Sequence, residues 1–169
     1  NSGFLPEERA WLDDFLAVIG EATACDAAAV RVENGAPAAR PIISARGFDL
    51  DSCQLSLRTD SRMCVAILQQ GMDTDNSVRT PGGSFYCNAA SSWNPAIEAG
   101  ELACPVHPIC GQPPYESFAL TPIFDPNGRI GLIHIAYRDK NKVSMETIGL
   151  MEAAALQLST AIQRVRAEE

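Results

Sequence analysis

Two apolar runs of strand length lie close together in the second half of the chain, and they constrain its fold more than any other feature. The first covers residues 116–123 and the second covers residues 129–137, with Asp125-Pro126-Asn127-Gly128 between them. Asn and Gly tolerate the positive φ angles that a tight turn between antiparallel strands requires. Because both runs are apolar almost throughout, the pattern predicts a β-hairpin in the core of the domain.

A long helix is predicted to follow this hairpin, over residues 144–168. Its apolar residues recur at intervals of three and four, the spacing of a helix that packs along a seam. They are Ile148, Met151, Ala155, Leu158, Ile162 and Val165. Because this stripe is longer than one domain face requires, we expect the terminal helices to form a homodimer interface.

The first half of the chain predicts a mixture of helices and strands. An amphipathic helix is predicted over residues 6–21, with Pro6 in its first turn and acidic residues at its positive end. A strand, a strand, a helix and a strand are then predicted at residues 26–33, 41–46, 58–70 and 82–88. This order predicts an α+β fold, in which a central antiparallel sheet of five to six strands carries the N- and C-terminal helices on one face. We expect residues 1–169 to form a single domain.

Charge and hydropathy exclude two classes of partner. The net charge is -8 and the thirteen Lys and Arg residues are scattered, whereas proteins that bind nucleic acid usually carry a basic stripe. No apolar run approaches the roughly 20 residues of a membrane-spanning helix, so we expect no direct membrane insertion. With no signal peptide visible, the acidic composition favours a cytoplasmic location.

Two regions carry a resemblance to a known family. The stretch SFALTPIFDPNGRIGLIHIAYRD, followed by VSMETIGLMEAAALQLSTAIQRVRAEE, resembles the C-terminal half of a GAF domain, the small-ligand sensor of bacterial histidine kinases and related regulators. Gly83-Ser84-Phe85-Tyr86 matches an earlier strand of the variant that it most resembles. The resemblance implies a sensory domain of a signal-transduction protein, and we expect a histidine kinase of a two-component system. It also implies that the domain is not itself an enzyme, and that it binds a small ligand or cofactor and relays the signal through its terminal helix.

Residues 89–115 break every periodicity and contain five prolines. Long irregular segments within compact domains usually have a function. The family resemblance implies that this segment forms the ligand pocket, on the face of the sheet opposite the helices. Aromatic residues in or near the segment are predicted to bind the ligand, namely Tyr86, Trp93, Tyr115 and Phe118.

The same segment contains a possible metal or redox site. Cys104, His107 and Cys110 lie within seven residues, and Cys87 precedes the segment. Thiolate and imidazole are typical zinc ligands, and the intervening prolines restrict the backbone between them. We therefore expect at least two of these four side chains to lie close enough to share a ligand, a metal or a disulfide. Ordinary unligated thiols are the alternative, and Cys64 and His134 are weaker candidate ligands.

The resemblance leaves the cofactor and the mechanism open. A haem-type cofactor would take His107 or His134 as its axial ligand. A thiol-based redox sensor, or a GAF-type methionine sulfoxide reductase, would use Cys87, Cys104 and Cys110. A ligand-free module that only dimerises is the third alternative.

Overall fold

A computed structural model describes residues 6–33, 42–47, 77–89 and 115–168. In these residues, one antiparallel sheet has the strand order β2-β1-β6-β5-β4-β3. Its strands are β1 (Ala27–Val32), β2 (Ile42–Arg46), β3 (Ser77–Arg79), β4 (Phe85–Cys87), β5 (Ser117–Asp125) and β6 (Gly128–Tyr137). Helices α1 (Pro6–Thr23) and α2 (Met145–Glu168) both pack on one face of this sheet. The predicted α+β architecture is confirmed.

The hairpin predicted near the end of the chain is formed by β5 and β6, the two central strands. Asp125 pairs with Gly128, and the Asp125 carboxylate accepts a 2.8 Å hydrogen bond from the backbone N–H of Asn127. Gly128 has a φ of 140°, a conformation that side chains with a Cβ rarely adopt. The predicted hairpin is therefore confirmed, with the positive φ at Gly128 and not at Asn127.

Helix α1 begins at Pro6, as predicted, and extends two residues beyond the predicted end. Its inner face buries Leu12, Leu16 and Ile19 against the sheet. At its C-terminus, the backbone carbonyl of Thr23 accepts a 2.7 Å hydrogen bond from the hydroxyl of Tyr137 on β6. This bond satisfies one of the carbonyl groups that a helix end leaves unpaired, and it fixes α1 to the middle of the sheet.

Helix α2 is capped by Ser144, whose side-chain oxygen accepts a 3.1 Å hydrogen bond from the backbone N–H of Thr147. Most of the apolar stripe predicted for this helix is buried in the domain's own core, at Ile148, Met151, Ala155, Leu158 and Ile162. Val165 is 38% exposed. The reason given above for a dimer along this stripe is therefore wrong: the spacing arises because α2 crosses the sheet of its own domain.

Strand β3 was not predicted, because it is three residues long, contains one apolar residue and follows a polar stretch. The helix predicted over residues 58–70 lies outside the described residues. Of the two described helices, neither is both long and apolar enough to cross a bilayer.

Candidate functional site

The sheet has a second buried face, on the side opposite the two helices. Successive residues of a strand point to opposite faces, so pairing and alternation define its members. We call this surface the ring face, and it comprises Ala27, Ala29, Phe85, Cys87, Phe118, Leu120, Leu132, His134 and Ala136. Each of these residues is buried, and none belongs to the core cluster that contacts the helices.

Three rings cross the ring face from β4 to β6. The centroids of the Phe85 and Phe118 rings are 6.1 Å apart, with 36° between the ring planes. The centroids of Phe118 and His134 are 6.4 Å apart, and these rings meet edge to face at 80°. Tilted and edge-to-face arrangements are the favourable ones for aromatic rings. The row is therefore a preorganised apolar surface that spans three strands.

His134 is the polar ring in this row. It is buried among apolar side chains, and burial lowers the pKa of its imidazole from 6.5 to about 3. The ring is therefore neutral at physiological pH. A neutral imidazole has one nitrogen that donates and one that accepts a hydrogen bond, and it is also the form that binds a metal ion.

Cys87 lies beside Phe118 in the register of β4 and β5. The pKa of its thiol is raised to about 11, mainly by burial and to a smaller extent by the charge of Glu116, against a lowering effect of the backbone hydrogen bond at Ala89. The thiolate is the reactive form of cysteine, so Cys87 is a thiol at neutral pH and a poor nucleophile. This pKa opposes the role of attacking cysteine in the redox and sulfoxide reductase alternatives.

The structure separates the aromatic residues that were predicted to bind a ligand. Phe118 lies on the ring face. Tyr115 is buried, and its hydroxyl donates a 3.4 Å hydrogen bond to the backbone carbonyl of Gly47. Tyr86 packs against the core cluster on the helix side of the sheet. On β4, the aromatic residue that lies on the ring face is Phe85, not Tyr86. The sequence signal for this arrangement was that Phe85 and Cys87 are two residues apart on one strand, and therefore face the same side.

The remaining predicted site residues lie outside the described residues, and they are Cys64, Trp93, Cys104, His107 and Cys110. The expected convergence of Cys87 with the cysteines and histidine of residues 104–110 stays a prediction. Within the described ranges, no three His, Cys, Asp or Glu side chains come together as a metal site requires.

Solved structures provide relatives of this architecture. A domain from Sinorhizobium meliloti 1021, described as part of a two-component sensor histidine kinase, matches with a TM-score of 0.60 and 18% identity over 98% of this chain and 96% of its own. The GAF domain of an Acinetobacter phosphoenolpyruvate-protein phosphotransferase matches with a TM-score of 0.61 and 16% identity, over 94% of this chain and 84% of its own. The GAF domain/HD domain protein from Geobacter sulfurreducens gives 0.59 and 8%, with 97% of each chain covered.

No model of a protein family matches the sequence, and no curated protein sequence matches it either. The similarity is therefore one of three-dimensional structure and extends over nearly the whole chain. The antiparallel sheet with both helices on one face agrees with the predicted fold. The chain has the fold of a GAF domain.

Proposed function

We propose that the chain is the sensory domain of a cytoplasmic signal-transduction protein, a histidine kinase, and that it has no catalytic activity of its own. A small ligand or cofactor binds on the ring face, and its binding changes the position of α2. The structural relatives include domains of signalling proteins, which supports a sensory or regulatory role. The choice of a histidine kinase as the parent protein follows the first of these relatives.

The row of Phe85, Phe118 and His134 carries this proposal. Only the sheet lies between this row of rings and α2. Strand β5 contributes side chains to both faces of the sheet. Phe118 and Leu120 lie on the ring face, whereas Thr121 contacts Met151 of α2, with 3.9 Å between oxygen and sulfur. A ligand that displaces β5 therefore acts directly on the residues that hold α2 in place.

The chemistry of the ring face favours an uncharged ligand. The side chains of its nine residues are hydrocarbon apart from a neutral imidazole and a protonated thiol, and Arg31, which lies beside Leu132 at the edge of this face, is paired with Glu33 at 3.0 Å. Burying an unpaired charge on such a surface is expensive, whereas a flat aromatic molecule can pack on the rings. The alanines of β1 lie beside His134 and Ala136 in the register, and they add short apolar side chains to this surface.

We further propose that Tyr115, Trp93 and the cluster of Cys104, His107 and Cys110 complete the site. A metal or haem-type cofactor is the alternative to an uncharged ligand. His134 could serve as a ligand of such a group, because it is a neutral imidazole on the ring face. Such a group would supply a ligand-binding or redox-sensitive centre to the same pocket. The role of the chain's own residues is to surround it with an apolar, water-excluding wall.

We also propose that the domain forms a homodimer through the outer surfaces of its terminal helices. The buried stripe of α2 is not available, but large apolar side chains face outward on both helices. They are Trp11 and Val18 on α1, and Leu150 and Leu156 on α2. Leu156 is 71% exposed in the middle of α2. Exposed apolar side chains of this size are typical of an interface between protein chains.

Native mass spectrometry of the purified protein, combined with an absorption spectrum and metal analysis, tests the ligand-binding proposal. We expect either a bound small molecule or binding of indole, a neutral aromatic probe. His134→Leu should weaken this binding, while Met151→Leu, a change of similar size on the helix side, should leave it unchanged. The proposal would be contradicted if the purified protein carries no small molecule and does not bind indole. Equal binding of indole by the two variants would also contradict it.

A further inference from the structure

A polar cluster joins α2 to the turn between β3 and β4. The carboxylate of Glu152 on α2 accepts hydrogen bonds from the hydroxyl of Thr80 at 2.6 Å and from the hydroxyl of Ser84 at 2.8 Å. Both bonds end on the same carboxylate oxygen. Hydrogen bonds to an ionised group are stronger than those between neutral groups. We call Thr80, Ser84, Thr121 and Glu152 the Glu152 cluster.

The number of hydroxyl hydrogens limits the direction of these bonds. Ser84 is fully buried, and its hydroxyl lies 2.9 Å from that of Thr121 on β5. Because the single hydrogen of Ser84 goes to Glu152, the Ser84 oxygen can accept a hydrogen bond from Thr121, whose hydroxyl also lies 3.9 Å from the sulfur of Met151. The cluster is therefore a continuous chain of hydrogen bonds. It runs from Thr121 on β5, through Ser84 immediately before β4, to Glu152 on α2. It ends on one oxygen of Glu152, which accepts from the hydroxyls of both Thr80 and Ser84.

Two glycines allow the turn to approach Glu152 this closely. An ideal Cβ at Gly82 would lie 2.4 Å from the carboxyl carbon of Glu152, so a side chain there would displace the carboxylate. Gly83 has a φ of 89°, and its N–H donates a 2.9 Å bond to the carbonyl of Thr80. The turn is closed further by a 2.8 Å bond from Thr80 N–H to the carbonyl of Ser84. It is thus a stiff unit whose backbone lies directly against the end of the Glu152 side chain.

We propose that the Glu152 cluster couples β4 to α2, so that a displacement of either element is passed to the other. Ser84 immediately precedes Phe85, which together with Cys87 forms the β4 part of the ring face. The cluster therefore connects the wall of the proposed ligand site to the helix proposed to carry the signal. Its use in signalling rests on the proposed function, whereas the coupling itself exists in the ligand-free protein.

Hydrogen exchange of the ligand-free, full-length chain tests the coupling. In Glu152→Ala, we expect exchange to become about tenfold faster or more in both residues 80–87 and the centre of α2, the change expected for loss of a hydrogen bond to a charged group. Peptides from β1 and β2 should keep their rates. Gln157→Ala provides a matched control, because it removes a long exposed side chain from the same helix. Faster exchange in only one of the two elements, in neither, or equally throughout the chain would overturn the proposal.

Gly82→Ala disturbs the same contact from the opposite side, without removing any hydrogen-bonding group. We expect it to reproduce the exchange pattern of Glu152→Ala, and to add little when the two changes are combined. Fully additive effects would show that turn and helix respond independently, and would contradict the coupling. Because no ligand is used, this result is independent of whether the ring face binds one.

Discussion

The ring of Phe118 meets the ring of His134 edge to face, with 6.4 Å between their centroids and 80° between their planes. The two residues lie on neighbouring central strands of the sheet, on the side away from the helices. The imidazole is consequently surrounded by apolar groups, which is the reason for its low pKa. This pair places the one titratable ring among the described residues of the ring face at the centre of the proposed site.

The low pKa of His134 predicts a loss of stability in mild acid. Its folded pKa of about 3 lies below its unfolded value of about 6.5, so the unfolded chain binds more protons between these two pH values. The free energy of unfolding should therefore decrease as the pH falls from about 6.5, by at most about 1.4 kcal/mol per pH unit from this group. Urea denaturation at pH 4.5 to 7.5 should show a shallower decrease in His134→Leu. Parallel curves for the variant and the wild type would contradict this prediction.

Cys87 should react slowly with alkylating reagents in the folded protein. A pKa of about 11, compared with 9.0 for a model thiol, leaves about 100-fold less thiolate at neutral pH, and burial restricts access further. Mass spectrometry after a brief iodoacetamide treatment at pH 7.5 should find Cys25, which is only partly buried, labelled before Cys87. A denatured sample, in which both thiols are accessible, provides the control. Equal rates in the folded protein would show that Cys87 is accessible and ionised.

Leu156 and Leu158 lie two residues apart on α2 and should differ strongly in their contribution to stability. Leu158 is 1% exposed and belongs to the core, whereas Leu156 is 71% exposed. Leu158→Ala should lower the free energy of unfolding by about 2–5 kcal/mol. Leu156→Ala should change it by less than about 0.5 kcal/mol under conditions in which the protein is monomeric. Chemical denaturation measures both changes. Similar losses of stability would show that Leu156 and Leu158 do not differ in burial, and would contradict this orientation of α2.

The proposed dimer makes a different prediction for the exposed leucine. Leu156→Glu places a charge at the centre of the outward face of α2, which should prevent two copies from packing there. Sedimentation equilibrium should detect dimers of the wild-type protein and monomers of this variant. Lys142→Glu, an exposed change preceding the helix, should leave the association unaffected. A monomeric wild-type protein at high micromolar concentration would contradict the proposal.

The elements that could be predicted from the sequence are those whose signals are local. The β5–β6 hairpin follows from two apolar runs and the conformational freedom of Gly128 in the turn between them. The start of α2, predicted at residue 144 and observed at Met145, follows from the apolar spacing of the helix. Such features depend on residues a few positions apart, so a single sequence contains all the information needed.

The sequence does not determine which surface a residue faces. The spacing of Ile148 to Val165 indicates a packed helix, but it does not distinguish a partner chain from the protein's own sheet. Tyr86 and Cys87 were both placed in the site, although neighbours on a strand face opposite sides. The Glu152 cluster was not foreseen, because it joins residues about 70 positions apart that no sequence period relates.

The account's central claim is that a small uncharged molecule binds on the face of the sheet away from the helices. Methyl NMR of the leucine-labelled protein during a titration with indole tests it most directly. We predict saturable shifts of the methyl groups of Leu120 and Leu132, on the ring face, at concentrations where those of Leu12 and Leu16, on the inner face of α1, are unchanged. Shifts confined to Leu12 and Leu16, or no saturable shift of Leu120 and Leu132, would contradict the claim.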